Sequence, residues 1–141
     1  MRPYVLMLQT DPDDQLITEE TFAELSVTIR VEFLPDFDLW ETFIGTHGKP
    51  LLVLVNESAS YSATTIMKKI KTNSSYSYIP CIILSERTLP DDIIKYYQAG
   101  ASTVIIKPSS VELTQEKIKT FFSYWLKVAE LPGHFVEPAE A

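Results

Sequence analysis

The sequence predicts a single α/β domain built on a doubly wound, five-stranded parallel sheet with helices on both faces. Three observations carry that expectation. Strand-length apolar runs occur without polar alternation at Tyr4 to Leu8, Leu51 to Val55 and Cys81 to Leu84, which is how strands buried on both faces read. Helical stretches separate the apolar runs, so strand and helix alternate five times, the order that lays down a parallel sheet with crossover helices. A length of 141 residues, with 45% hydrophobic and 22% charged side chains, suits one core and excludes collagen-like, low-complexity and disordered chains.

After the first strand, Tyr4 to Leu8, Asp11 or Pro12 opens a helix over Asp13 to Leu25, with acids in the first turn where the helix dipole favours them. Val27 to Phe33 then alternates, with Val27, Ile29, Val31 and Phe33 on one side and Thr28, Arg30 and Glu32 on the other, as a strand nearer an edge does. A second helix is expected over Phe37 to Ile44, a third strand over Leu51 to Val55 and a third helix over Ser60 to Lys71. The lysines of Lys68-Lys69-Ile70-Lys71 read as a solvated face and a C-terminus favourable to the dipole. Cys81 to Leu84 forms the fourth strand, and Pro90 with Asp91 and Asp92 opens a fourth helix, read as Asp91 to Ala99 and ended by Gly100. Thr103 to Ile106 is the fifth strand, and Ser109 or Ser110 caps a last helix over Val111 to Glu130. Residues 1–132 make the domain; residues 133–141, polar and proline-bearing, read as a flexible tail.

Nineteen acidic against 12 basic residues give a formal charge of −7. A field of that sign repels phosphate backbones and anionic lipid, which argues against nucleic acid and membrane surfaces and for protein partners. Cys81 is the single cysteine, so no intrachain disulfide forms, and with no secretory leader pattern the expected compartment is the cytoplasm. No apolar run approaches the roughly 20 residues that a membrane helix needs. His47 and His134 have no zinc-ligand spacing around them, no glycine-rich loop follows the first strand, and no nucleophile, base and orienter set can be assembled. No cofactor, no metal and no enzymatic activity are expected.

In doubly wound sheets, sites form beyond the carboxyl ends of the strands. The residues there are Gln9, Thr10 and Asp11, then Asn56 and Glu57, Ser85 and Glu86, and Lys107 with Pro108. The segments Leu8-Gln9-Thr10-Asp11-Pro12-Asp13-Asp14, Ile79-Pro80-Cys81-Ile82-Ile83-Leu84-Ser85, Gln98-Ala99-Gly100-Ala101-Ser102 and Ile105-Ile106-Lys107-Pro108 resemble, in order, the landmarks of response-regulator receiver domains. Tyr124-Trp125-Leu126-Lys127-Val128 with Leu131-Pro132 is similar to the close of stand-alone receivers that include those associated with bacterial phytochromes. The resemblance implies a flavodoxin-like receiver fold and a role in two-component phosphorelay signalling, with a histidine kinase or an output protein as partner.

In that family an acid pair after strand 1 and an aspartate ending strand 3 hold magnesium, and that aspartate accepts the phosphoryl group. Carried over by position, the acid pair falls on Gln9 and Thr10, the phosphoacceptor on Asn56, the hydroxyl on Ser85 and the lysine on Lys107. Only the last two match. An amide cannot form an acyl phosphate, and Gln9, Thr10 and Asn56 offer only neutral oxygens to a cation that wants carboxylates. Lys107 is expected to be neutralised by nearby Asp11, an attraction of about 4 kcal/mol at about 4 Å and an effective dielectric near 20, before desolvation. Asn56 is read as a hydrogen-bonding lock between Lys107 and the first loop, and Ser85 as a strand-end hydroxyl bonding backbone. Glu86 replaces a small residue and sets a carboxylate beside the anion site, and Val104 stands where the family's switch aromatic lies. The expected protein is therefore a pseudo-receiver acting by phosphorylation-independent protein interaction. The alternatives are an active receiver using another carboxylate such as Asp11, or a small-molecule sensor in the strand-end crevice.

At 100° per residue, Val111, Ile118, Phe122, Trp125 and Ala129 form a core stripe on the last helix, and Leu113, Tyr124, Val128 and Leu131 form a second apolar stripe beside it. Either the tail or Tyr96 and Tyr97 of the fourth helix cover this second stripe, or it is an interaction surface. Receivers commonly use the face of helix 4, strand 5 and helix 5 in this way, which makes a homodimer the expectation.

Overall fold

The structure, a computed structural model, describes residues 3–8, 11–25, 28–58, 62–87 and 89–132. Five parallel strands, β1 (Tyr4–Leu8), β2 (Arg30–Leu34), β3 (Leu52–Asn56), β4 (Cys81–Ser85) and β5 (Thr103–Ile106), pair in the order β2-β1-β3-β4-β5. Helices α1 (Pro12–Leu25), α2 (Trp40–His47), α3 (Ala63–Lys71), α4 (Pro90–Gln98) and α5 (Val111–Lys127) connect or follow them. This is the doubly wound fold, in the flavodoxin-like strand order, that the apolar runs predict.

Odd and even residues of the central strands feed two different cores, as the period of a strand requires. Tyr4, Leu6, Leu8, Val53, Val55, Cys81 and Ile83 pack with Trp40, Ile66, Met67, Ile70 and Tyr96 on one face. Val5, Met7, Leu52, Leu54, Ile82 and Leu84 pack with Phe22, Ile118 and Phe122 on the other. There Phe22 meets Phe122 edge-on at 4.7 Å, a favoured aromatic geometry that joins α1 to α5. Burial of Cys81 in the first core pushes its thiol up to about 11, so it is a packing residue rather than a nucleophile.

The punctuation works largely as read. Ser110 caps α5 by accepting from the Leu113 amide at 3.1 Å, and Ser62 caps α3 by accepting from Thr65 at 3.3 Å. Gly100 follows α4 with φ 115°, in the region that disfavours side chains, and a Cβ there would sit 2.8 Å from Lys71 Cγ. Lys71 is not simply solvated: its ammonium donates to the carbonyls of Ser77 at 3.1 Å and Ile79 at 2.6 Å, fixing the approach to β4.

Several expectations need correction. β2 begins only at Arg30, and it is an edge strand whose first four residues are half-buried. A 3-10 turn at Phe37–Leu39, capped by the Asp36 side chain, precedes α2, so the second helix starts at Trp40. Helix α5 stops at Lys127, with Val128 as its C-cap. Val111 is exposed rather than core, whereas Thr114, Ile118, Phe121 and Phe122 carry the buried face. Leu131 does not extend the outer stripe: it is 5% exposed and packs in the core between α1 and α5. Ser60, Gln9, Thr10 and the tail at 133–141 lie outside the described residues.

Candidate functional site

The chain crosses from β1 to β2 on one side and then returns to β3 on the other, so the order of strands reverses between the paired β1 and β3, and a crevice is expected beyond their carboxyl ends. Asn56 ends β3 opposite Leu84, Ser85 ends β4 opposite Ile106, and Lys107 follows β5 with its amide on the Ser85 carbonyl at 2.9 Å. The sheet thus brings Asn56, Ser85 and Lys107 to one edge, as expected from sequence. Gln9 and Thr10, the other positions expected there, lie outside the described residues.

The carboxylate that meets Lys107 is Asp14, with Oδ2 2.5 Å from Nζ. The sequence pointed to Asp11 for this role, but Asp11 stands before α1 and accepts from the Asp13 amide at 2.9 Å as a cap. Asp14 lies in the first turn of α1, whose dipole further favours its charge. Lys107 and Asp14 are only 13% and 15% exposed, and Met7, Ile17, Leu84 and Ile118 lie around them. Water therefore screens this pair less than a surface pair. Glu86, largely exposed, stands 4.0 Å from the same ammonium.

Ser85 is 1% exposed and its hydroxyl lies 2.9 Å from the Tyr96 hydroxyl of α4. It also accepts from the Arg87 amide at 3.0 Å, so the strand-end serine does bond backbone, as expected. The Tyr96 partner was not foreseen as part of the site. Burial pushes the Tyr96 phenol up, and the hydrogen bond with Ser85 opposes that shift. Val104 is half-buried beside the Tyr96 side of the core, and its amide donates to the Tyr97 hydroxyl at 3.2 Å. The ring that reaches the Ser85 hydroxyl comes from α4, not β5.

Glu57, placed at the strand ends by the sequence, makes contacts there that the sequence did not reveal. Its Oε1 accepts from the Ala63 amide at 2.8 Å, holding the start of α3, and its Oε2 is 4.0 Å from Arg87 Nε. With Asn56, Ser58, Ser85 and Glu86, these two residues line a crevice of about 240 Å³. Position alone marked Glu57 in the sequence, immediately after Asn56; its contact with α3 depends on a loop that composition does not specify.

The resemblance implies magnesium, and the donors present do not fit it. Asn56 offers a neutral amide, Asp14 is committed to an ammonium, and among the described residues no group of three or more His, Cys, Asp or Glu side chains is placed to hold a metal ion.

The fold is that of response-regulator receiver domains, including those of phytochrome systems. The response regulator RPA3017 in red light signaling of R. palustris superposes with a TM-score of 0.81 and 21% identity, over 94% of this chain and 99% of that one. The phosphorylated cyanobacterial phytochrome response regulator RcpA gives 0.85 and 19% identity, over 94% and 100%. Among curated proteins, the probable methanogenesis regulatory protein FilR2 of Methanothrix harundinacea (strain 6Ac) is 24% identical over 138 residues, 93% of this chain and 89% of that protein. No protein-family model matches the chain.

Proposed function

We propose that this chain is a pseudo-receiver in two-component signalling that acts through protein interaction without aspartyl phosphorylation. The observation that carries the reading is the Lys107 to Asp14 pair: the one cation expected to meet a phosphoryl group is already neutralised by the chain's own carboxylate at 2.5 Å. Asn56 at the phosphoacceptor position supports it, because an amide is not a nucleophile for acyl phosphate formation. The name of the curated relative, a regulatory protein, agrees with a signalling role. Among the described residues, no helix is long and apolar enough to cross a membrane.

The interaction surface in this reading is the face of α4, β5 and α5. Leu113 and Tyr124 stand exposed on α5 and Val128 at its C-cap, with Ile94 and Tyr97 exposed on α4. A groove of about 580 Å³ beside them is lined by apolar residues that include Val104, Ile105, Leu113 and Phe121, and by Glu116 and Lys117. Adjacent opposite charges beside an apolar strip are self-complementary under a two-fold axis, which favours a second copy of this chain as occupant. Substituting Leu113→Glu together with Val128→Glu is expected to leave far-ultraviolet circular dichroism unchanged and to convert a dimer to monomer in sedimentation velocity. A sedimentation profile that the double substitution does not alter rejects this face as the dimer surface.

A further inference from the structure

Away from the strand-end site, the 3-10 turn at Phe37–Leu39, α2, α3 and the chain leading to β4 flank a second, solvent-open cavity of about 220 Å³. Three aromatic rings line it in series. Phe37 lies 5.4 Å from Trp40 between centroids, tilted by 39°, and Trp40 lies 5.4 Å from Tyr76 at 86°. Asp38 and Glu41 line the same cavity, and the Tyr76 hydroxyl donates to Glu41 Oε1 at 2.9 Å, which fixes the ring and orients the carboxylate. Rings with a negative face, backed by two carboxylates, form the chemistry that attracts a diffuse cation.

The chain already uses the outer two rings in that way. Lys69 Nζ lies 5.9 Å from the Phe37 centroid and Lys69 lines the cavity, while Lys49 Nζ lies 5.9 Å from Tyr76 and 5.8 Å from Tyr78. Lys69 is exposed and extends from the outer side of α3. A flexible solvated lysine is a weak occupant that a better cation can displace. The cavity is below the 300 Å³ or so at which drug-sized sites begin, so it suits a compact head group.

We propose that Phe37, Trp40, Tyr76, Asp38 and Glu41 form a binding site for an alkylated ammonium head group, with Lys69 as an internal competitor. Alkylation favours the ligand over lysine's own ammonium, because a methylated cation is less strongly hydrated and loses less on leaving water. The site is distinct from the strand-end crevice, and the two share no lining residue.

The test is a proton NMR titration of the whole protein with choline, beside 3,3-dimethylbutanol, its neutral isostere. Saturable upfield shifts of the choline N-methyl protons, with shifts of the Phe37, Trp40 and Tyr76 ring resonances, are expected; the isostere should shift neither. Tyr76→Leu and Glu41→Gln should each weaken binding by about threefold to tenfold, and Lys69→Ala should strengthen it by a similar factor. Tetramethylammonium binding as well as choline shows that the head group alone is read, whether free or carried on a larger molecule. Absence of saturable shifts, equal binding of the isostere, or a Lys69→Ala protein that binds no better would each overturn the proposal. The lysine variant keeps the test open should a ring substitution disturb the fold.

Discussion

Lys107→Met is expected to destabilise the protein by about 2–3 kcal/mol, a larger loss than a surface ion pair gives, because it takes the ammonium away from the Asp14 carboxylate in a setting largely closed to water. Asp14 is 15% exposed and sits among Met7, Ile17, Leu84 and Ile118. The remaining solvent access keeps the cost below the 3–5 kcal/mol of a fully buried broken pair. Adding Asp14→Leu to Lys107→Met should recover most of the loss, since two apolar groups then fill the space without a charge to desolvate. Urea unfolding of the two single variants, the double variant and the parent gives the coupling directly. If Lys107→Met costs under about 0.5 kcal/mol, the pair is a solvent-screened surface contact. Lys107 would then be available to an incoming anion.

Ser85→Ala and Tyr96→Phe are expected to destabilise by about 1–3 kcal/mol each, with Ser85→Ala the more costly. Removing the serine hydroxyl takes a partner from both the Tyr96 hydroxyl and the Arg87 amide, whereas removing the tyrosine hydroxyl takes one from Ser85 alone. Both side chains are nearly closed to water, at 1% and 4% exposure, so the surviving group has little compensation. The double variant should lose clearly less than the sum, because one shared hydrogen bond can be lost only once. Thermal unfolding measures all three. The reverse order of cost, or full additivity, would mean that this contact does not couple β4 to α4.

The sheet was legible because buried parallel strands leave an unambiguous mark: β1, β3 and β4 are continuous apolar runs, bounded within a residue of the expected positions. Where the pattern weakened, physical context decided. Val27 to Phe33 alternates, yet the ladder to β1 starts at Arg30, paired with Tyr4. On α5 a constant 100° step placed Leu131 beside Val128, but the helix ends at Lys127, the phase is lost, and Leu131 turns into the core. Val111, in phase with Ile118, is exposed all the same, because helical phase says nothing about how far the core extends along a helix.

That Asn56, Ser85 and Lys107 lie at neighbouring strand ends was legible, since strand ends carry their positions with them. Sequence register chose Asp11 over Asp14 because linear distance from β1 does not tell which carboxylate of a first helical turn reaches across to β5; the two residues of the pair are separated by 93 positions. Tyr96 was hidden for a similar reason. Its hydroxyl reaches Ser85 from α4, 11 positions on, and only the packing of that helix against the sheet brings them together.

The central proposal is that signalling here does not pass through an aspartyl phosphate. Intact-mass spectrometry of the wild-type protein after incubation with acetyl phosphate, with and without magnesium, tests it most directly. An unchanged mass under both conditions is the expected result, with Asn56 unable to accept and Lys107 held by Asp14. A single phosphoryl adduct that depends on magnesium, is removed by hydroxylamine and maps to a carboxylate such as Asp11 would contradict it.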